Sequence, residues 1–372
     1  MAIEDVARNV KINRIAKGFS QRKLAEVAGI SEIEVKKIEA AHIQPKVRTL
    51  EAIARALKIR LDELFTPVEE LKAVRFRSFK KMKKRDHLLA KIKKWLDDFN
   101  FLEDVLNKKE PFYFNSIEGQ CIKSDPKEAA YLCREKLGLD LKVPIHDICR
   151  LLEKAGIKIL ILPIASEGFF GLSINDKDSG PAIIVNDWDR ITVERRIFSA
   201  AHELGHIMLH PESFDMSEIQ EEDEKEEREA NRFASHFLMP DEGFFNEWNE
   251  AAGLHWVDRV LKVKSIYQVS YKTVLYRLIE HKIVDDSIWK KFCYAYTKRY
   301  GKKLSFKEEP DWVSKDGEPY KLVRFVFCES RFSRLVREAV IEDKISLSRG
   351  AEMLGIGINE MLELVQSWEA VV

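Results

Sequence analysis

Cysteine is scarce in this 372-residue chain. There are five, Cys121, Cys133, Cys149, Cys293 and Cys328, and no two stand in CxxC spacing. That excludes both a disulfide framework and a thiolate zinc site, and leaves the cysteines as reduced packing residues. Long apolar runs are also missing. The longest, IKILILPIA from Ile157, is less than half of the roughly 20 residues that span a bilayer. It excludes a membrane helix and suits a buried strand. The opening MAIEDVARN carries charge early and has no apolar stretch of the signal-peptide kind, so a cytoplasmic location without a membrane partner is expected. No repeat of fixed period is visible.

An excess of one charge sign is absent as well, with 62 Lys and Arg against 62 Asp and Glu. The zero sum conceals an asymmetry. The first 100 residues carry an excess of about ten positive charges, and residues 211–230 an excess of about eight negative ones. This split points to one end that faces nucleic acid and a middle with another task. A chain of this length holds two or three domains, and its 45% hydrophobic and 33% charged residues suit globular folding.

Residues 1–66 read as five short helices, with apolar residues at helical spacing in Val6, Ile12 and Ile15, then Leu24 and Val27, Val35 and Ile38, and Leu50, Ile53 and Leu57. Ser20 and Ser31 stand at N-cap positions, the latter with Glu34 where a capping box needs it. Gly29 falls in the turn between them. Residues 68–110 begin basic and turn amphipathic, which predicts one or two connecting helices. Further on, the pattern predicts strands over 157–162, 168–174 and 182–186, helices over 192–209 and 225–238, and helical stretches over 251–285 and 329–369.

The stretch AHELGHIMLH starts at Ala201. His202 and His206 are four apart, so both imidazoles project from one helix face and can share one tetrahedral Zn2+. Glu203, beside the first of them, is placed to take a proton from water activated there and to pass it to a leaving amine. The strand candidate ahead of the helix could hold an extended peptide by strand addition. A catalytic zinc needs a third protein ligand and an open position. The acidic run EEDEKEEREAN offers several carboxylates, and spacing does not separate Glu227 from Glu226 or Glu229. His210 reads as polar surface near the helix end, His236 as a satisfied interior histidine. Tyr271, Tyr276 and Arg277 are weak oxyanion-donor candidates and read better as packing or ion-pair residues.

HELGH followed by EREANRFASHFLMP, with IIVNDWDRITVERRIFSA upstream, resembles the ImmA/IrrE metallopeptidases. The resemblance implies that Glu227 is the third metal ligand and that Asn231 holds the free N–H of a ligand histidine. The segment QRKLAEVAGISEIEVKKIEA resembles the Xre, or λ-repressor-like, helix-turn-helix. It implies that the helix from about Ser31 enters the major groove, with Glu32, Ile33 and Lys37 at base edges and Gln21, Lys36, Lys46 and Arg48 near phosphates. Two carboxylates near that face, Glu32 and Glu34, weigh against non-specific affinity, and an interaction or dimerisation module is the competing reading. The run ISLSRGAEMLGIG near the C-terminus has a second helix-turn-helix look, read as structural helices.

The expected fold is multidomain and mainly α with a small sheet. An all-α λ-repressor-like domain spans 1–67, a basic helical connector 68–110, an α+β zincin-like metallopeptidase domain 111–250 and a helical region 251–372. The expected function is a regulator that binds a double-stranded DNA operator and cleaves a repressor or antitoxin-like protein. A zinc-holding regulator that senses a ligand or partner without cleaving, and an antitoxin component, stay open, as does a homodimer.

Overall fold

The computed structural model describes residues 3–65, 74–76, 85–166, 169–175, 180–214, 223–304, 327–328 and 330–369. Residues 305–326, between the two predicted C-terminal helical stretches, lie outside them. The described residues form two compact units, one reaching to Phe101 without the strand at 74–76, the other made of that strand and everything from Leu102.

The first unit holds helices α1 (Ile3–Ala16), α2 (Gln21–Ala28), α3 (Glu32–Glu39) and α4 (Val47–Leu57), a 3-10 turn (Asp62–Phe65) and most of α5 (Arg85–Val105). The apolar stripes of the four short helices converge on Val10, Leu24, Val35, Ile38, Ile53 and Leu57. Ser20 Oγ accepts from the Lys23 amide at 3.0 Å and Ser31 Oγ from the Glu34 amide at 3.1 Å, which satisfies N–H groups that a helix start leaves orphaned. Gly29, at φ 68°, ends α2 in the left-handed region, where a side chain would be strained. Glu39 ties the unit together. Its carboxylate accepts from Arg14 at 2.5 and 2.9 Å and from Gln21 at 2.8 Å.

The second unit opens with strand β1 (Val74–Phe76). Sequence periodicity predicts helix there, and the structure corrects it. Helices α6 (Glu118–Cys121), α7 (Pro126–Lys136) and α8 (Ile148–Lys154) follow. Then come β2 (Lys158–Leu162), β3 (Gly171–Ile174), β4 (Ala182–Asn186), α9 (Val193–Leu209) and α10 (Glu224–Leu238). The sheet order is β1-β3-β4-β2, with β2 parallel to β4 and the other pairs antiparallel. All residues of β3 and β4 are buried, and apart from Ser173 and Asn186 they carry no polar side chain. Helix α9 lies on β3 and β4, and α10 packs on α9 with α7 behind it.

Helices α11 (Asp241–Glu250), α12 (Trp256–Tyr267), α13 (Tyr271–Glu280) and α14 (Ile288–Tyr300) extend the same apolar core. The C-terminal set is α15 (Arg331–Ile341), α16 (Leu347–Leu354) and α17 (Ile358–Glu369). Helix α16 repeats the local design of α2, an eight-residue helix capped by Ser346 and ended by Gly355 at φ 68°. Glu103 in the last turn of α5 pairs with Lys158 of β2 at 3.4 Å and Arg331 of α15 at 2.6 Å. All five cysteines are free. No helix among the described residues is long and apolar enough to cross a membrane. The architecture is mainly α with a small sheet.

Candidate metal centre and nucleic-acid interface

Thr192 caps α9 by accepting from the Arg195 amide at 3.3 Å, and the helix then runs almost wholly buried between the sheet and α10. His202, Glu203 and His206 are 1%, 3% and 2% exposed. Asp223 caps α10 through the Lys225 amide at 2.8 Å, which sets the phase that brings Glu227 to the histidine pair.

His202 Nε2 and His206 Nε2 lie 3.0 Å apart. Glu227 Oε2 is 3.4 Å from the former and Oε1 is 3.2 Å from the latter. Ligands at 2.0–2.1 Å in a tetrahedral zinc site stand about 3.3 Å from one another, so the three donors have the spacing of three corners of such a site. Among the described residues this is the one group of three His, Cys, Asp or Glu side chains close enough to hold a metal ion.

The far sides of both rings set the tautomers. Asn231 Oδ1, which can only accept, is 3.1 Å from His202 Nδ1, so the proton sits on Nδ1 and Nε2 keeps its lone pair. Glu229 Oε2 is 2.9 Å from His210 Nε2, and His210 Nδ1 is 3.2 Å from His206 Nδ1. With Glu229 drawing the proton of His210 to Nε2, His210 Nδ1 accepts from His206 and leaves His206 Nε2 ready for a metal. Burial opposes ionisation of Glu227, but without metal the imidazoles of His202 and His206 in their protonated form outweigh it, donating through Nε2, and hold the carboxyl far below the usual carboxylate range.

The three acidic candidates take three different partners. Glu227 faces the histidine pair, Glu226 accepts from Ser213 Oγ at 2.7 Å, and Glu229 meets His210. His210 is therefore not surface, as its place near the helix end suggests, but a buried link to His206. Its position four residues beyond His206 put it on the same stripe as the metal pair, and that was the signal available in the sequence.

Glu203 points to β3. Ser173 Oγ donates to its Oε2 at 2.8 Å, and a Cβ built on Gly171 would stand 3.1 Å from its Oε1. Ser173 was not singled out by sequence, although a polar residue inside the buried run GLSI is itself a signal. Strand β4 cannot take an added peptide, because β3 and β2 occupy both its sides.

His236 is a buried interior histidine, 3.2 Å from Glu280. Arg277 is fully buried and paired with Asp241 and Glu280. Tyr271 stacks on Phe292 at a centroid distance of 4.9 Å, and Tyr276 is exposed. The predicted packing role of Tyr271 and ion-pair role of Arg277 are the ones seen.

On α3, Ile33 is 65% exposed and Lys37 is exposed beside it. Lys36 is paired with Glu32 at 2.7 Å, which holds the Glu32 carboxyl below its ordinary range. Thr49 donates to Glu34 at 3.3 Å. Lys46 and Arg48 are exposed where α4 begins. Gln21 is half-buried and donates to Glu39.

Residues 152–279 match the family model of the IrrE N-terminal-like domain, a peptidase family, and residues 10–64 match a helix-turn-helix model. No curated protein matches the chain. Among solved structures, the chain is similar to the crystal structure of Bacillus thuringiensis PlcR in complex with the peptide PapR7 and DNA. The identity is 13%, 99% of each chain is covered, and the TM-score is 0.16, too low to carry an argument. This chain thus carries an Xre-type helix-turn-helix domain followed by a peptidase-family domain of the IrrE N-terminal-like type.

Proposed function

We propose that this DNA-binding regulator is a zinc-dependent endopeptidase whose substrate is a repressor or antitoxin-like protein. The observation that carries the reading is the convergence of His202, His206 and Glu227 on one point with Glu203 beside them. His202, His206 and Glu227 would hold the ion, and Asn231 and His210 fix the ring orientations. Bound Zn2+ supplies Lewis acidity and lowers the pKa of water at the site to about 7. Glu203 accepts a proton from the attacking water and returns it to the leaving amine. Ser173 orients the Glu203 carboxylate. Burial keeps this proton transfer out of bulk solvent and strengthens each electrostatic contact. The helix-turn-helix domain brings the peptidase to an operator where its substrate is bound, which raises the effective concentration of the two.

The near-complete burial of His202, Glu203 and His206 favours a second reading, a zinc-holding regulator that does not cleave. Glu203→Gln separates the two. In the peptidase reading zinc content is unchanged and cleavage of a co-expressed partner falls by about 10²–10⁴-fold. Regulation in cells that survives the substitution intact sinks it.

A further inference from the structure

We infer that strand β1 of this chain occupies the edge of the sheet on which a peptide substrate pairs, so that the connector leaving the helix-turn-helix domain competes with substrate in cis. The inference rests on the reading of this domain as one that receives an extended peptide.

The four-stranded sheet has two outer positions, and they are not equivalent. Beyond β2 lies an edge separated from β3 by both β2 and β4, so a peptide added there is about 14 Å from β3 at the usual strand spacing. The other position is beside β3, and β3 is the strand that touches Glu203, through Ser173 Oγ at 2.8 Å and the close approach at Gly171. An extended peptide paired with β3 runs past the proton-transferring carboxylate, and one paired with β2 does not. Strand β4 is closed on both sides.

The β3 position is filled by Val74–Phe76. The register sets Val74 against Ile174, Arg75 against Ser173 and Phe76 against Leu172. The connector residue Arg75 is therefore opposite the serine that holds Glu203. The pairing is antiparallel and three residues long, so it offers few ladder bonds and no deep register. Such a strand holds its place because it is tethered, at high effective concentration, and a longer peptide with more ladder bonds displaces it. The burial of Glu203 and its two histidine neighbours fits a site whose entrance is taken. Events that move the connector, such as seating the helix-turn-helix on DNA, would set the availability of the edge.

The test uses the full zinc-loaded chain carrying Glu203→Gln, so that binding is read without cleavage. The probe is a fluorescent synthetic peptide with the sequence LKAVRFRSFKK, residues 71–81 of the chain. Arg75→Pro removes an amide and fixes φ in the middle of β1, and the peptide is expected to bind that variant at least about 10-fold more tightly than the parent. Val74→Cys with Ile174→Cys joins directly opposed positions, whose Cα separation in an antiparallel pair suits a disulfide. The oxidised form is expected to lose peptide binding and the reduced form to regain it, each serving as the other's folding control. Equal affinity in all forms, or no binding in any, overturns the inference. The peptidase reading fails separately: if Arg75→Pro with Glu203 intact binds peptide but cleaves no partner, the edge assignment stands and the proteolytic activity does not.

Discussion

His206 and His210 face each other one helical turn apart, Nδ1 to Nδ1 at 3.2 Å, and Glu229 closes the chain from the other side of His210 at 2.9 Å. The metal pair therefore has a relay behind one of its rings that neither ligand motif contains. Asn231 does the same work behind His202. Removing such a partner leaves all ligands present but frees a ring to rotate and change tautomer. We expect His210→Phe and Asn231→Leu each to weaken zinc binding by about 10–100-fold. Glu229→Gln is expected to act in the same direction with a smaller effect, since an amide can still accept from His210. Competition against a chromophoric chelator measures this. An unchanged affinity in His210→Phe would remove the relay from the account of the site.

Gly205 sits inside HELGH for a packing reason. A Cβ at this position would stand 3.0 Å from the Phe233 ring and 3.3 Å from the Ala230 Cα, on the face of α9 that packs on α10. Ala230 and Phe233 belong to the helix that carries Glu227, so a methyl group at 205 moves the third donor relative to the first two. Gly205→Ala is expected to cost about 1–3 kcal/mol of stability and to lower zinc affinity as well. Thermal melts with and without chelator check both. A stable variant that keeps full affinity would show that the interface yields without moving Glu227.

Much of this site was legible in the sequence because its elements carry local signals. The helices predicted over 192–209 and 225–238 run Val193–Leu209 and Glu224–Leu238, since Thr192 and Asp223 cap them and Pro240 follows the second. Strand β4 has the bounds its apolar run suggests. What was not legible is non-local. Val74 and Phe76 become a strand only because β3, about a hundred residues later, offers a partner. The interior place of β4 depends on a strand order that periodicity does not contain. His210 lay on the readable stripe, but its burial comes from the packing of Glu229 on another helix.

On the helix-turn-helix, charge pairing separates two adjacent lysines. Lys36 is tied to Glu32, whereas Lys37 is exposed on the same helix beside Ile33. We expect Lys37→Ala to reduce binding to a specific operator by about 1–3 kcal/mol if it reads a base. Lys36→Ala should do less, because part of its charge is already neutralised. Glu32→Gln should raise non-specific affinity at low salt by removing a repulsive charge and releasing Lys36. Titrations of the full chain at several salt concentrations give all three. No binding to any DNA at low salt would favour an interaction module instead.

The buried group around His236 sets an acid limit on the peptidase-type domain. His236 is 1% exposed, with Nε2 3.2 Å from Glu280 and Nδ1 3.6 Å from Asp241. Burial pushes its imidazole down to about 4, against the hydrogen bond to Glu280, which pulls the other way. Burial alone would raise Glu280, but His236, Arg277 and Arg232 bring it down to about 2. In the unfolded chain the same groups titrate near their ordinary values, 6.5 and 4.5. Between pH 6.5 and 4 the unfolded state takes up a proton at His236 that the folded state refuses, so stability falls as pH drops, by about 1.4 kcal/mol per unit. Between 4.5 and 2 Glu280 adds a loss of the same sign. Above pH 6.5 neither group contributes a slope. His236→Gln keeps a donor for Glu280 and removes the first titration. Denaturant unfolding of the metal-free chain, wild type against variant, is expected to show a difference that favours wild type near pH 7 and shrinks as pH falls to 4. Groups common to both proteins cancel in that difference. A difference that stays constant with pH would assign the acid sensitivity to groups other than His236.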